Sequence, residues 1–153
     1  MNIEDKLNQL QIELPDIATP LGSYRPYVVS GKYIYVSGQL PLKNGELLFK
    51  GVVGDDVSLE EAVQSARVCA INSLAVLKDA TGDLNRIKKI VKVTGYVSSS
   101  ENFYKQADVI NGASNLYFDV FGDKGVHARA AVGVYKLPID APVEVDLIAE
   151  IIT

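Results

Sequence analysis

The sequence predicts an α+β fold, a mixed sheet with two main helices on one face, and three observations carry that expectation. "RPYVVSGKYIYVSG" places two β-branched and aromatic runs around Ser30 and Gly31, the pattern of a hairpin. "SLEEAVQSARVCAINSLAVLKDATG" opens with Ser58 and Glu61 at capping-box spacing and stops at Gly82, a long helix. "ARAAVGVYKLP" and "VEVDLIAEII" are two strands separated by the loop residues "IDAP".

The remaining elements follow in chain order. Ile3, Leu7, Leu10 and Ile12 recur at roughly helical spacing, an amphipathic N-terminal extension over about residues 1–14 that ends before Pro15. From Pro15 to Pro20 the chain is an extended connector. After the hairpin, a turn at "KNG" leads into "ELLFKG", a short strand expected to complete an antiparallel meander. The long helix carries Ala62, Ala66, Cys69, Ala70, Leu74 and Leu77 along one side, small enough to lie flat across a sheet. "KIVKVTGYVSS" then reads as a strand, and "SENFYKQADVINGASNLYFDVFG" as a second helix with Ser100 as its candidate cap and Gly112 as a point of interruption. No linker, repeat or low-complexity tract divides residues 1–153, which read as one domain.

Composition narrows the function classes. With 48% hydrophobic and 22% charged residues the chain can bury a sizeable core, and its net charge of -4 leaves no excess of Lys and Arg to neutralise phosphates. The densest basic stretch, "NRIKKIVK", alternates with Ile and Val that suit burial, so no nucleic-acid partner is expected. A lone Cys69 inside an apolar helix points to a reducing compartment and to core packing. "MNIEDKLNQLQIEL" has no apolar signal region and no run of about 18 apolar residues follows, so a cytoplasmic protein without a membrane partner is expected. Cys69 and His127 form no ligand spacing, and neither a metal nor an organic cofactor is expected.

The candidate site begins with an arginine in an otherwise apolar strand. Alternation puts Arg129, Ala131, Gly133 and Tyr135 on one face and Ala130, Val132 and Val134 on the other, with the aliphatic face expected to meet the helices. In the last strand it separates Val143, Val145, Leu147, Ala149 and Ile151 from Glu144, Asp146, Ile148 and Glu150, the acidic face opposing the core. An open second face of mixed character suggests self-association, with Arg129 and Glu144 facing each other from adjacent strands in a cleft between subunits. Two readings stand at this point. One is a cross-strand ion pair on an interface rim. The other is a guanidinium flanked by Ala and Gly, with room to grip a substrate carboxylate, and a carboxylate nearby to handle water. His127, two residues before Arg129 on the same face, is open between a structural and a catalytic role. Ser37 in "VSGQ" lacks a nucleophile elbow and is open between lining a pocket and bonding to backbone.

Taken together, "GSY" at 22–24, "YVSGQLPL" at 35–42, the helix after "SLEEA", "VTGYV" at 93–97, "ARAAVGVYKLP" and "VEVDLIA" at 143–149 resemble, in that order, the RidA/YjgF family, the reactive intermediate deaminases. The resemblance implies a chorismate mutase-like fold and a homotrimer with sites in its intersubunit clefts. It implies hydrolysis of enamines and imines such as 2-aminoacrylate to a 2-oxo acid and ammonia, without metal or cofactor. Carried over residue by residue, it makes Arg129 the carboxylate clamp and Glu144 the acid-base group for water and departing ammonia. Tyr24 becomes a catalytic and substrate-binding residue and Ser37 a substrate-binding one, because their spacing equals that between the family's "GPY" and "SGQ" motifs, and Ala131 joins them as a substrate-binding position. Ala131 stands where many members have a cysteine, which removes any thiol contribution, and "GSYRPY" replaces the usual "GPYSQA". The chain is also longer than the usual member, so it is similar to the longer branch of the family. Two other classes stay in view: a non-catalytic sensor binding a small carboxylate in the same cleft, and the ribonuclease or translation-inhibitor role sometimes given to the family.

Overall fold

The computed structural model describes residues 2–17 and 23–153. Three helices and seven strands follow in the order α1 (Ile3–Gln9), β1 (Tyr27–Ser30), β2 (Tyr33–Gln39), β3 (Leu42–Lys43), β4 (Glu46–Leu47), α2 (Leu59–Thr81), β5 (Ile87–Ser98), α3 (Gln106–Phe121), β6 (Ala128–Val134) and β7 (Val143–Ile151). The main sheet has the order β1-β2-β7-β5-β6, antiparallel except for the parallel pair β5–β6. The mixed sheet with two long helices is the predicted α+β architecture.

The Ser58 hydroxyl accepts from the Glu61 amide at 3.1 Å while the Glu61 carboxylate accepts from the Ser58 amide at 3.0 Å, so α2 starts in a full capping box. It stops at Gly82 in the left-handed conformation, as expected. Ala62, Ala66, Cys69, Ala70, Leu74 and Leu77 are all fully buried, and they meet Val143, Val145, Leu147 and Ala149 of β7 in one core. Cys69 is therefore a packing residue, its thiol proton directed at the Val143 carbonyl and its acidity suppressed by burial.

α3 crosses α2 without a break at Gly112. A side chain there would collide with the Val63 carbonyl of α2, so the glycine allows close helix contact instead of interrupting the helix. Ser100 is not its cap. The Ser99 and Ser100 amides are taken by the Val134 and Val53 carbonyls, which holds this segment extended and delays the helix to Gln106.

Two further expectations are corrected. The β3–β4 hairpin is a separate two-stranded sheet and not the third member of a meander, because Asn72 of α2 donates to the Leu40 and Leu42 carbonyls and turns the chain away from β2. The N-terminal helix is shorter than about 1–14, ending at Gln9; Leu7 and Ile12 are buried and Glu4 pairs with Lys78 at 2.9 Å. Of the Pro15–Pro20 connector, residues 18–20 lie outside the described residues, as does Gly22. No described helix is long and apolar enough to cross a membrane.

Replacement of Gly112 by alanine should lower unfolding stability by about 1–3 kcal/mol in urea titrations, although alanine in an uncrowded helix is better than glycine by about 1 kcal/mol. A stabilised variant would show that α2 and α3 do not touch there.

Candidate active site

β5 decides which way the neighbouring side chains point. Val93 and Val97 are fully buried on the helix side, and between them Gly95 lies under Ile110 of α3. Register pairs Val93 with Arg129, Gly95 with Ala131 and Val97 with Gly133, and paired residues share a face. Arg129, Ala131 and Gly133 therefore look toward α3, while Ala130, Val132 and Val134 look away from it. The predicted orientation of this strand is reversed, with Val132 left 42% exposed. Alternation alone cannot say which of two faces is inward when both hold small residues; β5 supplies that information.

The predicted pairing of Arg129 with Glu144 is likewise corrected. β5 lies between β6 and β7, so the two strands are not neighbours. Glu144 is opposite Tyr96 on the bare face of the sheet, and Tyr96 is level with Val132. Arg129 is three residues further along, two strands away and on the other face, which places the two Cα atoms roughly 14 Å apart. One chain therefore contains two half-sites.

The first half-site sits where β2 bulges between Val36 and Gln39. A side chain on Gly38 would strike the Glu144 carboxylate, so the glycine makes the recess that Glu144 occupies. The Ser37 hydroxyl donates to the Arg25 carbonyl at 2.6 Å and the Ser37 amide to the Pro26 carbonyl at 2.9 Å. Of its two readings, backbone anchoring is the one the geometry contains. The anchor brings Tyr24, 56% exposed, to the same end of β2 as Glu144. Partial burial and then the neighbouring Asp146 raise the Glu144 carboxyl above its usual range. Tyr96 donates to Asp146 at 2.8 Å, and burial together with that bond pushes its phenol up to about 12. Tyr96 and Asp146 were absent from the predicted site; the register opposite Glu144 is what brings them in.

The second half-site surrounds Arg129 at the sheet edge. Its Nη1 donates to Asn111 Oδ1 at 2.7 Å and to Ser114 Oγ at 3.2 Å, both on α3. No salt bridge holds the guanidinium among the described residues, and both of these bonds use Nη1, leaving Nη2 and Nε for a ligand. Ala131 is partly buried against the core, without a polar group to offer. His127 lies on the Arg129 side, as predicted, where Ser114 reaches its Nε2 at 2.9 Å and the Gly125 carbonyl its Nδ1 at 2.6 Å. Asn111 and Ser114 were missed. Their separation of one helical turn was legible, yet which strand they would meet was not.

The open mixed sheet backed by two long helices, here with an arginine on its edge strand and an acidic pair on its bare face, is the chorismate mutase-like architecture. The family model described as "YjgF/chorismate mutase-like, putative endoribonuclease" matches residues 4–151, and the chain belongs to this YjgF/RidA family. Its match includes most of α1. Protein TCP17 of Trypanosoma cruzi is 43% identical over 146 residues, 95% of this chain and 91% of its own length. Atu1372 from Agrobacterium tumefaciens is 46% identical with a TM-score of 0.90, covering 97% of this chain and 91% of that one. A Shewanella oneidensis protein carrying the same endoribonuclease description is 33% identical with a TM-score of 0.94, covering 99% and 100% of the two chains.

Glu144 yields a pH prediction with a definite sign. A carboxyl raised in the folded state binds its proton more tightly there than in the unfolded chain, so ionisation disfavours the fold. Glu144→Gln should therefore raise the thermal midpoint near pH 7, and the advantage should fade as pH falls from the raised folded-state range into the ordinary carboxylate range, below which it is gone. A variant less stable than wild type at pH 7 would contradict this environment.

Proposed function

We propose that this protein hydrolyses small, reactive 2-enamino and 2-imino acids to 2-oxo acids and ammonia, in clefts completed between copies of the chain. The observation that carries the reading is Arg129, tethered through Nη1 and open along its remaining edge at the rim of the sheet. A planar guanidinium presented in that way fits a carboxylate through two charge-assisted hydrogen bonds. Family membership supports a role of this kind.

Because Glu144 of the same chain lies on the far face, the acid-base group at each arginine comes from a neighbouring copy. The surface available for that contact is the bare sheet face, where Val28, Tyr35 and Val132 are each more than two-fifths exposed and Ile148 lies between strands. Burying such a patch is a reason to associate. The family resemblance supports a trimer as that assembly.

In the reaction, the substrate carboxylate rests on Arg129 and an enamine first takes its imine form. The imine reacts in its N-protonated form: water adds to the C=N carbon as Glu144 removes one of its protons, the C–O bond forms, the C=N π pair moves to nitrogen, and a neutral carbinolamine results. Glu144 then returns that proton to nitrogen, the C–N bond breaks to release ammonia as the hydroxyl oxygen becomes the C=O of the 2-oxo acid, and the hydroxyl proton passes to Glu144. A carboxyl raised toward neutrality serves both steps better than a strong acid would. Tyr24 closes the cleft beside Glu144, while Ser37 contributes by fixing the segment that carries Tyr24. No cofactor enters this scheme.

Arg129→Ala should lower kcat/KM for freshly generated 2-aminoacrylate by about a hundredfold or more, and Arg129→Lys should recover little of it. Glu144→Gln should act mainly on kcat, by about a hundredfold or more. Saturable binding of a 2-oxo acid without turnover by the native protein would point to the sensor role instead. In solution the native protein should elute near 50 kDa, about three times its 16.6 kDa chain; a stable monomer would leave both half-sites incomplete.

A further inference from the structure

Arg129 and three groups behind it form a chain of hydrogen bonds whose direction is fixed at both ends. The Gly125 carbonyl can only accept, so the imidazole nitrogen 2.6 Å away, Nδ1 of His127, carries a proton. Burial and the charge of Arg129 both hold His127 toward its neutral form, in which Nε2 has a lone pair and no proton. The Ser114 hydroxyl, 2.9 Å from Nε2, must then donate to it. Its oxygen lone pairs are left facing Arg129, which can only donate, at 3.2 Å. The order is guanidinium to hydroxyl to imidazole to carbonyl, with no member free to reverse.

Packing fixes the imidazole and the carbonyl it donates to. The imidazole meets Tyr117 edge-on, with centroids 5.8 Å apart and planes at 88°. Gly125 is pressed so closely against the Tyr117 carbonyl that any side chain there would collide, which holds the accepting carbonyl in place. Tyr117 itself is fully buried and bonded to Ser73 of α2 at 2.7 Å. The charged group facing the imidazole is Arg129.

We propose that Ser114 and His127 are positioning residues for Arg129: the neutral imidazole polarises the Ser114 hydroxyl so that it presents an acceptor to Nη1 and orients the guanidinium toward an incoming carboxylate. This rests on the reading of Arg129 as a carboxylate clamp. It adds that the only histidine of the chain acts through serine on that clamp and never touches the substrate.

The test is calorimetric titration of the full-length protein with 2-oxobutanoate, a stable carboxylate probe, combined with nitrogen NMR of the single histidine. Ser114→Ala and His127→Phe, the latter keeping a ring against Tyr117, should each weaken binding about tenfold, and Ser114→Thr should restore it. The double variant should bind as either single one does, because both substitutions cut the same chain. In turnover assays the loss should appear in KM with kcat retained. The imidazole should show a protonated Nδ1 and a bare Nε2. Unchanged affinity in Ser114→Ala, fully additive losses in the double variant, or the opposite tautomer would overturn the proposal. If His127→Phe fails to fold, Ser114→Ala against Ser114→Thr still decides. Native binding that Arg129→Ala abolishes establishes the clamp whatever the Ser114 variants do, whereas absence of native binding removes clamp and positioning together.

Discussion

The seal that β5 makes against the helices is the constraint on which the rest depends. Val93, Gly95 and Val97 cannot turn outward without exposing the core, and their pairing with β6 and β7 commits every residue of those strands to one face. Arg129 is thereby held among α3 side chains, and Glu144 is held on the bare side. The separation of the two half-sites is thus a consequence of core packing. It leaves a single copy of the fold with the Arg129 guanidinium in one place and the Glu144 carboxylate in another.

Both half-sites depend on glycine and on small side chains at close approaches. Gly38 provides the recess for Glu144, and Gly133 lies against Gln106 and Ser99 near the start of α3. In the first case the recess partly buries a carboxylate beside another carboxylate, an arrangement that costs stability when both are ionised. The proposed proton-transfer role would account for keeping such a pair where glutamine would be more stable. Around Arg129 the provision is of a different kind, neutral acceptors from α3 that orient a cation without neutralising it.

Much of this was legible in residue order. The capping box at Ser58 and Glu61, the small-residue face of α2 and the alternation in β7 are local patterns, and each appears where those patterns put it. What was not legible depended on contacts far apart in sequence. The face of β6 is ambiguous by itself because Ala and Val occupy one side and Ala and Gly the other. The insertion of β5 between β6 and β7 is a matter of topology that strand-by-strand reading leaves open. The hydroxyl that explains His127 sits on α3, and the acceptors of the Ser99 and Ser100 amides, which displace the start of that helix, lie in β6 and in the loop before α2.

The central claim is that each working site takes Arg129 from one copy and Glu144 from another, and complementation tests it most directly. Arg129→Ala and Glu144→Gln chains, each inactive alone, would be co-refolded in equal amounts and assayed for imine hydrolysis. Random mixing gives about one site in four both intact residues, so roughly a quarter of native activity should return. If the mixture stays as inactive as its components while forming mixed oligomers, both residues act within one chain and the divided site is wrong.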